Sequence, residues 1–96
     1  QVFPIEIEEI ISQHPAVLEV GVAGVPDAAQ DEAVKAWVVL RAEQKCTVEE
    51  IQTFCRDKLT AYKIPKHVEF RDTLPKTMVG KVLRRVLQEE HLAKGK

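Results

Sequence analysis

No apolar run in this chain approaches the ~18–20 residues that a membrane-spanning helix needs, so no segment of it can cross a bilayer as a helix. Aromatic residues are scarce, at 5%. That is too few for a stacking platform for single-stranded nucleic acid, and no nucleic-acid partner is expected. Only two cysteines occur, Cys46 and Cys55. They could pair in principle, but the segment Gln1 to Glu9 is acidic and lacks the basic start and apolar core of a secretory signal. An intracellular, cytoplasmic location with both thiols reduced is therefore the expectation. Repeats and low-complexity stretches are missing. His14, His67 and His91 lie far apart and share no ligand spacing with either cysteine, so no metal site is expected.

What the chain does have is the make-up of one small globular domain: 96 residues, 45% apolar and 30% charged. A domain of this size buries roughly 60–65% of the surface its unfolded chain exposes, enough for one modest core. The net charge of −1 hides an imbalance. Residues 1–56 carry 4 basic and 10 acidic groups, and residues 57–96 carry 10 basic and 5 acidic groups. A basic C-terminal half suits either an anionic partner or an ordinary solvated surface.

Pro4 suits a helix start, and Glu6, Glu8 and Glu9 suit its positive end. Ile7, Ile10, Ile11 and His14 follow one helix face until Pro15 stops it. Val17 to Val25 alternates loosely, as a partly buried strand would. Pro26-Asp27 opens a polar loop through Glu32, and the apolar Ala33 to Leu40 reads as a second strand pairing antiparallel with the first. Thr47 and Glu50 form a capping box ahead of a helix with Ile51, Phe54, Cys55 and Leu59 on one stripe, ending near Thr60. Pro65 keeps Ile64 out of helix. His67 to Arg71 is a short third strand. Gly80 precedes a last helix with Val82, Leu83, Val86 and Leu87 inward. The fold class is α+β: a small three-stranded sheet with helices packed against it.

The unusual segment is Leu74-Pro75-Lys76-Thr77-Met78-Val79-Gly80-Lys81. Gly80 permits backbone angles that other residues resist. Lys81 falls at the expected helix start, where a cation is mildly unfavourable unless an anion binds there as well. An ordinary exposed lysine is the alternative reading. A phosphate-binding P-loop is rejected, because Pro75 stands where its first glycine would be and Val82 where its Ser or Thr would follow.

Leu74 to Arg85 resembles the last core motif of the adenylate-forming superfamily, which includes acyl-CoA synthetases, luciferases and peptide-synthetase adenylation domains. Phe3-Pro4-Ile5-Glu6-Ile7-Glu8, His14-Pro15-Ala16-Val17, Gly24-Val25-Pro26-Asp27 and Tyr62-Lys63-Ile64-Pro65 resemble other motifs of that superfamily, in the same order. Cys55-Arg56, Val68 to Asp72 and Tyr62 through Arg85 look most like bacterial long- and medium-chain fatty acid–CoA ligases. The resemblance implies that residues 1–96 are a single C-terminal lid domain, lacking the hinge and the large N-terminal domain that holds the acid pocket and most of the ATP site.

In that family a carboxylate attacks the α-phosphate of ATP, usually with Mg²⁺, and coenzyme A then takes the acyl group. The resemblance assigns Lys81 as the catalytic cation of the first half. It assigns Arg56 and Lys63 to the CoA phosphates and Gly80 to shaping the loop. Mg²⁺ would be bound mainly by the absent domain. The partners implied are the large N-terminal domain and a fatty acid or other carboxylic acid, and the resemblance also allows peripheral membrane association of the whole enzyme. Arg84 and Arg85 are expected to anchor the last helix to the large domain. Two alternatives stay open: the same domain from an enzyme that loads a carrier protein, and a free-standing anion- or protein-binding module.

Overall fold

Period-two alternation in the central strand decides the architecture. The structure, a computed structural model, describes residues 4–27, 31–59 and 64–94. Its elements run α1 (Pro4–Ser12), β1 (Val17–Asp27), β2 (Asp31–Leu40), α2 (Val48–Arg56), β3 (His67–Arg71) and α3 (Arg84–Lys94). This is the expected order, and the sheet has three strands in the order β1-β2-β3. β1 and β2 pair antiparallel. β3 joins β2 in parallel, which requires a crossover, and α2 lies within it.

Along β2, Val34, Ala36 and Val38 point into one cluster with Ile7, Ile11, Ile51 and Cys55. Trp37 and Val39 point into a second cluster with Leu74 and Leu87. Successive side chains on a strand face opposite ways, so a sheet covered on both faces gives an almost continuous apolar run. α1 and α2 cover the first face. α3 and the segment around Leu74 and Val82 cover the second.

β1 shows the same division with one irregularity. Its register shifts between Val17 and Glu19, and this bulge lets Val17 and Val20, three residues apart, enter the same cluster. The exposed Leu18 sits at the shift. Gly21 faces the second layer, where Val82, Leu87 and Leu74 approach closely.

Three boundaries differ from expectation. Pro26 to Glu32 is not a plain loop, since the ladder continues through Pro26↔Glu32 and Asp27↔Asp31. Pro26 is tolerated because β1 is an edge strand, where a missing N–H need not break a ladder. α2 keeps its capping box but ends at Arg56, with Asp57 as C-cap. α3 starts at Arg84 rather than after Gly80, so Val82 and Leu83 precede it.

Candidate functional site

The segment expected to begin the last helix is instead a tight hairpin. Leu74 is buried in the second cluster, which fixes where the segment leaves the core. Lys76 and Val82 then form an antiparallel bridge. The Thr77 N–H donates to the Lys81 carbonyl at 2.8 Å, and the Gly80 N–H donates to the Thr77 carbonyl at 2.9 Å. Thr77 Oγ1 accepts the Lys81 N–H at 3.1 Å. The Leu83 N–H reaches the Pro75 carbonyl at 2.9 Å. Gly80 has φ +87°, the left-handed conformation that ends a three-residue hairpin loop. A Cβ there would meet nothing within 4 Å, so the requirement for glycine is conformational rather than steric. These bonds engage the Thr77 and Lys81 backbones and the Gly80 N–H within the hairpin, and α3 begins a turn later, at Arg84. Lys81 therefore lies outside α3 and does not sit on its dipole.

Met78 and Val79 form a fully exposed tip, and Lys81 is exposed beside them. An ion pair stands at each foot of the hairpin. Lys76 pairs with Glu19 of β1. Arg84 grips Glu8 of α1 as a fork, with Nε to Oε2 at 2.8 Å and Nη2 to Oε1 at 2.6 Å. Glu8 Oε2 also accepts the Val22 N–H at 2.8 Å, so one carboxylate satisfies a donor on the outer edge of β1 and holds the start of α3. Arg84 is thus engaged inside the domain. Arg85 is exposed, with Glu89 3.6 Å away. The uneven charge of the two halves is partly matched internally, since acidic residues of the first half meet basic residues of the second.

The family profile described as "AMP-binding enzyme C-terminal domain" matches residues 6–81. The chain belongs to this family. Among curated relatives, the long-chain-fatty-acid–CoA ligase of Escherichia coli O6:H1 is 54% identical over 95 residues, covering 99% of this chain and 16% of the relative. The enzyme of that name from Bacillus subtilis strain 168 is 52% identical over 89 residues, covering 93% of this chain and 16% of the relative. Among solved structures, a Mycobacterium tuberculosis fatty acyl CoA synthetase superimposes with a TM-score of 0.88 at 38% identity, over 97% of this chain and 18% of that one. The chain thus spans 16% of the length of these curated relatives.

Within this AMP-binding C-terminal domain, the expected site residues fall in separate places. Gly80 and Lys81 are adjacent in the hairpin on the second layer. Arg56 is exposed at the end of α2, which packs on the first layer, across the sheet from Lys81. Lys63 lies outside the described residues. Among the described residues, no group of three or more His, Cys, Asp or Glu side chains could hold a metal ion.

The sequence reading passed over Lys35, a lysine in the middle of an apolar strand. Its side chain is buried, 3.1 Å from Glu69, 2.8 Å from His91 Nδ1 and over the Trp37 ring at 4.9 Å. An ammonium has only donors, so His91 accepts through Nδ1, and the arrangement ties β2, β3 and α3 together. The signal was its position in Ala33 to Leu40. The cysteines are both free thiols. Burial pushes Cys55 up to about 11, partly countered by Lys58. Burial and then Glu50 raise Cys46, partly countered by its hydrogen bond to Thr47.

Proposed function

We propose that this domain is the mobile C-terminal lid of an ATP-dependent fatty acid–CoA ligase and that Lys81 is its adenylation cation. The observation that carries this reading is the presentation of Lys81. It follows a left-handed glycine at an exposed hairpin tip, in a chain about half identical to long-chain-fatty-acid–CoA ligases over nearly its whole length.

The physical case is electrostatic. Adenylation brings a carboxylate against the α-phosphate of ATP, so two anions must approach and negative charge grows on the phosphoryl oxygens. A cation delivered into a dry cleft offsets that repulsion and favours the transition state over the ground state. Lysine suits the task because its charge sits on a compact ammonium at the end of a flexible stem. A short hairpin can insert that stem into a partner cleft and withdraw it again. Thr77 and Gly80 hold the hairpin shape and do not react.

Coenzyme A is the proposed acyl acceptor. Arg56 is proposed for its phosphates, and its place on the opposite layer suits a domain that turns a second face to the partner for the second half-reaction. Lys63 is proposed for the same role from sequence alone. The Mg²⁺ that accompanies ATP would be held by the nucleotide and the large domain. A cytoplasmic setting suits these substrates.

Lys81→Ala in the full-length enzyme tests the reading. ATP–pyrophosphate exchange should fall roughly 10²–10³-fold, the usual cost of removing one group that stabilises charge in a transition state. Thioester formation from supplied acyl-adenylate should change far less. Equal loss in both half-reactions would refute the assignment. The 96-residue domain by itself should catalyse no exchange.

A further inference from the structure

We infer that the two ion pairs at the feet of the hairpin, Glu8–Arg84 and Glu19–Lys76, are positioning devices for Lys81. This inference rests on the adenylation role proposed above. The hairpin's internal bonds set its shape but not its direction. Its tip touches little: Met78, Val79 and Lys81 are exposed, and a Cβ at Gly80 would meet open space. Direction must therefore be set at the base, by the apolar contacts of Leu74 and Val82 and by the two ion pairs.

Each pair ties a foot to a firmly packed element. Glu8 projects from α1, whose Ile7 and Ile11 are fully buried, and it is itself held by the Val22 N–H. Its two-point contact with Arg84 fixes orientation as well as distance, which a single-point pair does not. Glu19 projects from β1 beside the register shift. All four side chains are partly exposed, where ion pairs add little stability, so their greater use is geometric. The pairs also neutralise the cations on either side of Lys81. Among the described residues no acidic side chain pairs with Lys81 itself, which keeps its charge available for an incoming anion.

The test uses the intact enzyme and four variants: Glu8→Gln, Glu19→Gln, Lys81→Ala and Glu8→Gln combined with Lys81→Ala. Glu8→Gln keeps the shape of the side chain and removes its charge. Exchange kcat should fall roughly ten- to a hundred-fold, as for a reacting group displaced by about 1 Å. KM for ATP and for the acid should hold, as should thioester formation from supplied acyl-adenylate. In the Lys81→Ala background, Glu8→Gln should cost nothing further, because a device that acts through Lys81 has nothing left to position. Glu19→Gln should show the same pattern and carries the test if Glu8→Gln does not fold.

Three results overturn the inference: equal loss in both half-reactions, the same fractional loss with and without Lys81, or unchanged exchange in both Gln variants. If Lys81→Ala itself leaves exchange intact, the adenylation role falls and the positioning role with it. If Lys81→Ala cripples exchange while both Gln variants are unaffected, only the positioning role falls.

Discussion

Gly21→Ala should destabilise this domain although it adds a single methyl group to a strand. An ideal Cβ at Gly21 would stand 2.9 Å from Val82 Cγ1, 3.2 Å from Leu87 Cδ1 and 3.9 Å from Leu74 Cδ1. Val82 cannot yield easily. It is β-branched and stiff about χ1, and its backbone is bridged to Lys76. Leu87 is fully buried. Overpacking of this kind costs about 1–3 kcal/mol, while replacing glycine returns about 0.4–1 kcal/mol through the unfolded chain. The net loss should be about 1–2 kcal/mol, or roughly 4–8 °C in Tm per kcal/mol for a domain of this length. Thermal and urea unfolding followed by circular dichroism would measure it. Gly24→Ala is the control. Its Cβ would meet Cδ, Oε2 and Cγ of Glu32 at 2.5–2.9 Å, and that exposed, unbranched side chain can rotate aside, so the change should stay within about 0.5 kcal/mol. A Gly21→Ala domain as stable as the parent, or equal losses at both glycines, would refute the packing argument.

Removing the α2 cap with Thr47→Ala should cost about 0.5–2 kcal/mol, since the Glu50 N–H loses its acceptor at 3.1 Å; urea midpoints check this. Gly80→Ala should cost about 1–2 kcal/mol, because φ +87° is unfavourable for a residue with a Cβ, and Gly80→Asn should cost less in the same assay. Cys55 holds its proton in the fold to about 11 against an ordinary 9.0. Between these values the unfolded chain has ionised and the folded one has not, so stability should fall as pH rises from 9 toward 11. Unfolding curves across that range should lose this component in Cys55→Ala. Cys46 should be labelled by a thiol reagent in the native state, while Cys55 should react only on unfolding.

The elements were legible where one local signal sufficed. The Thr47–Glu50 box set the start of α2 and the apolar run from Ala33 to Leu40 marked β2, while α1 ends at Ser12, three residues before the Pro15 expected to stop it. The candidate lysine was legible as well, because Gly80-Lys81 lies inside a long and specific motif. The last boundary is not legible locally, because a glycine before an apolar-periodic run suits a helix start as well as a hairpin turn. The left-handed turn at Gly80, the Thr77 hydroxyl and the Lys76–Val82 bridge compete with helix for the same backbone groups, and the hairpin wins until Arg84. The strand ends are not legible either, since polar Asp27 and Asp31 read as loop yet pair across the ladder.

Local sequence by itself determined which segments become helix and strand, and which lysine follows the left-handed glycine, because caps, periodicity and backbone permission act over a few residues. Tertiary structure alone decided that Glu8 meets Arg84, that Lys35 lies under α3 beside Glu69 and His91, and that Arg56 and Lys81 occupy opposite layers. Those relations depend on how the strands pair and which face each helix covers. Charges 76 residues apart have no local signature, and they become neighbours only once the sheet has brought the two ends of the chain together.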